Sequence, residues 1–172
     1  PAMGNNFASV DALASGSQAQ DLAGQLDAFF ASNGNKADPD ALYYLIIGGN
    51  EVIEATLATD NALATQLVVA AVRAKETAIH RLVAAGAKII LAPNFIDVGI
   101  TPQIREAGLS ARGRKFSKLH NVLFEKMLDR VERELDFQLI RFDWERWVSV
   151  TLATADMLRF TNTTESCLAL FP

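Results

Sequence analysis

Three short apolar runs, separated by longer stretches with helical spacing, decide what this chain can fold into. The first, Leu42-Tyr43-Tyr44-Leu45-Ile46-Ile47, follows the turn-rich segment 33–40; the second is Lys88-Ile89-Ile90-Leu91-Ala92, stopped by Pro93; the third is Phe137-Gln138-Leu139-Ile140-Arg141-Phe142. Runs this short, rich in β-branched and aromatic residues and bounded by turn formers, read as strands rather than buried helices. The first two lack polar alternation, the pattern expected of strands covered on both faces. Between and around them, 18–32 places Leu22, Leu26, Phe29 and Phe30 at helical spacing. Residues 61–85 carry a stripe of Leu63, Leu67, Val68, Val72, Ile79, Leu82 and Val83, with Gly86 as a stop signal. Residues 109–135 repeat the pattern with Phe116, Leu119, Leu123, Met127, Val131 and Leu135, and their outer face carries Glu125, Asp129 and Arg133. Strands alternating with helices predict a parallel sheet joined by crossover helices, hence an α/β sandwich with helices on both faces. No internal repeat and no shift in composition divides the 172 residues, so a single domain is expected over 1–172.

Composition excludes several classes of function. A net charge of −4 leaves no concentration of Lys and Arg able to displace counterions from phosphates, so no nucleic-acid partner is expected. The short basic run Arg112, Arg114, Lys115, Lys118 lies within a helical pattern and reads as a solvated helix face. No stretch has the roughly 18 uninterrupted apolar residues of a membrane span. The opening Pro1-Ala2-Met3-Gly4-Asn5-Asn6 has neither the charged nor the apolar region of a signal peptide. The lone Cys167 has no His at ligand spacing and reads as a free thiol, so no metal is expected. No Gly-rich phosphate loop follows any strand, and no cofactor is expected either.

Ligands of parallel α/β sheets bind at the carboxyl ends of the strands. The segments there are Gly48-Gly49-Asn50-Glu51, then 93–102 beginning Pro93-Asn94, then Asp143-Trp144-Glu145-Arg146-Trp147. Gly48 and Gly49 allow a tight turn that leaves Asn50 at the head of the next helix, facing the crevice. There Asn50 can donate its side-chain N–H to a developing oxyanion, or it can act as a helix N-cap. Gly48, Gly49 and Asn94 are the candidate substrate-binding positions. His80 and His120 lie in the middle of helical patterns and read as helix-surface or helix-packing residues.

The same segments, taken in order, carry a resemblance. Leu42 through Glu51 resembles the third block of SGNH-type (GDSL-family) hydrolases, a hydrophobic strand ending in Gly-x-Asn-Asp. Gly86 through Asn94 and on to Gly99-Ile100-Thr101-Pro102 is similar to the following strand and loop of the bacterial lipase/esterase branch. Phe160-Thr161-Asn162-Thr163-Thr164-Glu165-Ser166-Cys167-Leu168 is similar to that branch's stretch ahead of its catalytic Asp-x-x-His. The resemblance implies a three-layer α/β/α, flavodoxin-like fold and hydrolysis of acyl esters by a Ser nucleophile with a His base. It also implies that Asn50 is the catalytic oxyanion donor. Departures are as informative. No Gly-Asp-Ser and no Gly-x-Ser-x-Gly elbow occur, no His lies in an Asp-x-x-His loop, and Glu51 stands where the family has Asp. The implied domain is therefore truncated at both ends, with the nucleophile supplied from outside this chain. A non-catalytic interaction module built on the same fold is the alternative. In that branch a Cys at this place has a downstream partner, which implies a secreted or cell-surface origin. In the resembling fold the strand 42–47 pairs on one side with the nucleophile-bearing strand, so its open edge implies a homodimer or a companion chain.

Overall fold

In the computed structural model residues 6–166 are described. Three parallel strands, β1 (Leu42–Tyr44), β2 (Ile89–Pro93) and β3 (Gln138–Phe142), form one sheet in the order β1-β2-β3. Six helices accompany them: α1 (Leu22–Ser32), α2 (Gly49–Leu57), α3 (Asn61–Ala84), α4 (Pro102–Glu106), α5 (Ser110–Glu134) and α6 (Trp144–Ala153), with a 3-10 turn at Val98–Ile100. The expected strands and long helices are all present. β1 stops three residues short of Ile47, although the Leu45 N–H still donates to Leu91 O at 3.0 Å.

Local signals set the helix ends. Asp60 caps α3 by accepting from the Ala62 N–H at 2.7 Å, and the N–H groups of Gly86 and Ala87 return to the carbonyls of Val83 and Leu82. Asp143 caps α6 by accepting from the Arg146 N–H, and Pro102 opens α4, where its missing N–H costs nothing.

Register explains which sheet face is covered. Tyr43 pairs with Ile90 and Ile90 with Leu139, so these residues point to one side. That side, with Leu45 and Ala92, packs against Leu22, Leu26 and Phe30 of α1, Ala71, Val72, Ile79 and Leu82 of α3, and Phe124, Met127, Leu128 and Val131 of α5. The other side aligns Leu42 with Ile89, and Tyr44 with Leu91 and Ile140, ending at Phe142. Leu42, Tyr44, Ile140 and Phe142 are exposed. The expectation that the first two strands are covered on both faces is thus corrected for β1. Its apolar run was needed only on alternate positions, and α1, α3 and α5 all lie on the same face. The α/β class with a parallel sheet is as expected, and the described residues supply one helical layer against it.

A second, smaller core sits at the carboxyl end of the strands. Val52 and Ala55 of α2, Ala64 and Val68 of α3, Val98 of the 3-10 turn and Phe116 of α5 make it, and it holds α2 between the two long helices. The basic run is only partly a solvated face. The Arg112 guanidinium donates to the carbonyls of Thr56 and Ala58 at 2.9 and 2.6 Å, closing the open end of α2. Arg114 pairs with Asp97, while Lys115 and Lys118 are exposed. The charges on the outer face of α5 also have a partner, since Glu125, Asp129 and Glu132 converge on Arg141 of β3.

Truncating Ile90, fully buried at the sheet centre, to Ala is expected to cost about 2–5 kcal/mol. Leu42→Ala, on the uncovered face, is expected to cost less than about 1 kcal/mol. Urea unfolding of the two variants measures the contrast.

Candidate functional site

Because the three strands are parallel, the turn after β1, the loop after β2 and the start of α6 lie on one edge of the sheet. The turn after β1 is the tightest. Gly48 is the N-cap residue of α2 with φ +105, a conformation that L side chains rarely adopt. A Cβ at Gly48 would stand 3.2 Å from Lys75 Cε, and one at Gly49 would stand 2.1 Å from the ring of Phe95. The chain turns there because neither position has a side chain.

Asn50 is therefore in the first turn of α2 and is not its N-cap, which disposes of the capping alternative. Its side chain is half-buried, and Nδ2 donates to the carbonyl of Ala12 at 2.9 Å. One of its two N–H bonds is thus anchored on the segment that precedes α1, and this fixes the plane of the amide. Glu51, fully buried, continues the same clamp: Oε1 accepts from the Ser15 N–H and Oγ–H at 2.8 and 3.0 Å, and Oε2 has no partner among the described residues. The carboxylate of Asp21 in turn accepts from the N–H groups of Leu13 and Gln18, closing residues 13–21 into a compact loop. The long Glu51 side chain reaches this loop.

The other two segments are tied to each other. Asn94 Nδ2 donates to Asp143 at 2.8 Å, and Asn94 Oδ1 accepts from the Glu145 N–H at 3.0 Å. Asn94 thus joins the ends of β2 and β3 and holds the start of α6. The Asn94 bond first, and the Arg146 N–H second, hold the Asp143 carboxyl below its usual range. Asn121 on α5 does the same for the loop after β2. It accepts from the Phe95 N–H, donates to the Phe95 carbonyl and donates to Glu145 Oε2. The Phe95 ring stands edge-on to Trp144 and lies over Gly49, so the loop after β2 touches both of its neighbours.

Beneath this surface is a polar cluster. Lys75 of α3 is fully buried, with Nζ 3.0 Å from His120 Nε2 and 4.3 Å from the centre of the Phe124 ring. His120 is also fully buried, stacked on Phe124, and its Nδ1 is 3.0 Å from Asn121 Oδ1. His120 is thus a packing residue, as one of the two expected roles had it, but with both ring nitrogens engaged. His80 is half-buried on α3. Burial, and then the neighbouring Lys75 charge, push the His120 pKa down to about 3 against a lesser opposing bond from Asn121. Burial pushes Lys75 down to about 7, opposed by the Glu51 carboxylate. Among the described residues no group of His, Cys, Asp and Glu is arranged to hold a metal. No described helix is long and apolar enough to cross a membrane.

Of the expected site residues, Gly48, Gly49 and Asn50 form one continuous turn, and Asn94 lies beyond Phe95, bonded towards α6. Cys167 lies outside the described residues. Lys75 and Asn121 are the members that sequence reasoning missed, and Glu51 had stood out only as a departure from the expected Asp. For Lys75 the signal was available: it falls seven residues from both Val68 and Leu82, in the middle of an apolar stripe.

With this geometry in place, comparison with known proteins is informative. A family profile described as GDSL-like Lipase/Acylhydrolase matches residues 2–169, nearly the whole chain. The chain belongs to that family. Over 125 residues it is also 33% identical to Lipase 1 of Photorhabdus luminescens, an alignment that takes in 70% of this chain and 19% of that protein. The chain thus spans about a fifth of the length of this relative. Membership puts the α/β fold with its parallel sheet among the GDSL-like lipase/acylhydrolase proteins.

The two buried bases make a pH dependence that can be measured. The folded-state pKa of Lys75 lies below the ordinary 10.5, so the unfolded chain binds more protons between about 7 and 10.5. The contribution of Lys75 to stability therefore rises with pH across that window and is lost as pH falls through it. His120 acts in the same sense lower down, its contribution being lost as pH falls from 6.5 towards about 3. Lys75→Met is expected to remove the upper rise and keep the lower one. Urea unfolding of both proteins at about pH 5, 7 and 10 checks this.

Proposed function

We propose that this chain is the oxyanion-side part of a carboxylic-ester hydrolase whose Ser nucleophile and His base lie outside it. Asn50 carries the reading. It stands at the carboxyl end of the first strand, on the edge shared by the three loops, with one N–H anchored on Ala12 and a second left for a ligand. An amide held this way meets the requirement for oxyanion stabilisation, a donor that need not reorganise as charge develops. Gly48 and Gly49 bring the backbone close to the acyl group, and Asn94 holds the neighbouring loop on the substrate side. The substrate is an acyl ester, lipid or acylated small molecule, and the protein acts outside the cytoplasm, secreted or at the cell surface.

The encoding reading frame is the first test, since a Gly-Asp-Ser-Leu block upstream is required. The 172-residue chain by itself is expected to leave short-chain p-nitrophenyl esters at background, while the full translation product hydrolyses them. In that product Asn50→Ala is expected to lower kcat about 100- to 1000-fold. Turnover by the 172-residue chain, abolished by replacing one of its own serines, would place the nucleophile within it and sink this reading.

A second reading, a non-catalytic interaction module, is favoured by one observation. Of the two histidines, His120 is sealed in the core with both nitrogens engaged. The apolar face formed by Leu42, Tyr44, Ile140 and Phe142 and the free edge of β1 suit either reading, because each needs another strand or helix to cover them. We infer a second copy or a companion chain at this edge. Light scattering at micromolar concentration is expected to give a dimer, or a one-to-one complex with the companion. A monodisperse monomer in both settings would refute the inference.

A further inference from the structure

The buried cluster beneath the Gly48–Asn50 turn has no role in the chemistry proposed so far, yet its hydrogen bonds have a determined direction. The Phe95 N–H can only donate, and the Phe95 carbonyl can only accept. Their contacts fix which atom of the Asn121 amide is oxygen, and that oxygen faces His120 Nδ1. Nδ1 must therefore carry the ring proton of His120, which leaves Nε2 as a bare acceptor. Lys75 is the donor of the 3.0 Å bond to it. Nothing else among the described residues accepts a hydrogen bond from the Lys75 amine, and Glu51 Oε2 is buried without a partner. The same amine forms the floor of the turn, since a Cβ at Gly48 would lie 3.3 Å from Nζ.

We propose that Lys75 is a positioning residue for Asn50: its buried amine, fixed by His120 and faced by Glu51, sets the Gly48–Asn50 turn, and gain or loss of a proton on that amine moves the Asn50 donor. The mechanism is electrostatic. A charged Lys75 draws on the Glu51 carboxylate, which belongs to the same helical turn as Asn50, and a neutral amine does not. The other charges on the elements packed around Lys75 are engaged at the surface or exposed: Asp27 of α1 with Arg81, Glu76 with Arg130 of α5, and Glu54 of α2 in solvent. Glu51 and His120 are thus the partners that matter, and Lys75 changes charge near pH 7, within the working range of an enzyme. This inference rests on the reading of Asn50 as the oxyanion donor, but the coupling can be measured without turnover.

The test is nuclear magnetic resonance of the 172-residue chain, following the Asn50 side-chain amide, the Gly48 and Gly49 N–H groups and the Lys75 13Cε across about pH 5.5 to 9. One shared midpoint near 7 is expected in all of these signals. Lys75→Gln, which keeps a donor for His120, and Lys75→Met, which keeps only the shape, should both abolish the step at Asn50. A step that persists in either variant overturns the proposal. So does an Asn50 amide that stays flat while Lys75 titrates, or a Lys75 that does not titrate in this range. Should neither variant fold, the comparison of midpoints in the unaltered chain still decides. In an active full translation product, Lys75→Gln should lower kcat with little change in KM and flatten its pH profile near 7. Lack of any hydrolysis would overturn the hydrolase reading and leave the coupling result standing.

Discussion

The turn at Gly48 and Gly49 is the constraint on which the rest of the site depends. It is closed on one side by the Phe95 ring and underneath by the Lys75 amine, and any side chain at either glycine would displace one of them. Through Phe95 the turn is joined to the loop after β2, through Asn121 to α5, and through Asn94 to the start of α6. Three loops that the parallel sheet merely brings to one edge are thus made into a single surface. Asn50 acquires its orientation from this packing and from the carbonyl of Ala12, rather than from its own helix.

A buried amine is an unusual support for such a turn. Taking Lys75 out of water costs free energy that one hydrogen bond and a neighbouring carboxylate offset only in part, which is why its pKa falls. An apolar side chain of similar volume would carry no such cost. Position-specific polarity in a core is retained, where it has been studied, for specificity or switching in some systems, and here the polar chain runs from α3 through α5 to the loop beside Asn50.

Much of the fold was legible because the periodic signals were strong. The long helices follow stripes of three- and four-residue spacing, and the strands follow short apolar runs ended by Gly-Gly, Pro93 and Asp143. The reading erred where a run was longer than the face it had to cover: Leu45 continues the β1 ladder by one bond, but Tyr44 and Leu42 look outward. At the site, Gly48, Gly49 and Asn50 stood out because the residue types at that turn have so few alternatives. Lys75 did not, because a polar residue inside a stripe is by default assigned to the rim, and His120 read only as a surface or packing residue. The apolar stripe around Lys75 marks its burial, but its partner 45 positions away, and then Asn121 one further, appear only in the folded chain. Ser15 and Ala12 were equally hidden, since their contacts with Glu51 and Asn50 run through hydrogen bonds to side chains 36 and 38 residues away.

Those long-range bonds have a consequence for the order in which the molecule can come apart. The segment before α1 is held to the site by Asn50, Glu51 and Asp21, with Ala12 and Ala14 as its buried apolar contacts, whereas the sheet and the long helices share a large common core. Releasing it forfeits few apolar contacts, so it belongs at the low-free-energy end of the local openings of the fold. Such an opening hydrates the Glu51 carboxylate and frees the Asn50 N–H held by Ala12 while the sheet stays intact. The geometry around Asn50 is then governed by a latch whose lifetime is shorter than that of the fold, and amide exchange at Leu13 and Ser15 is where that lifetime is written.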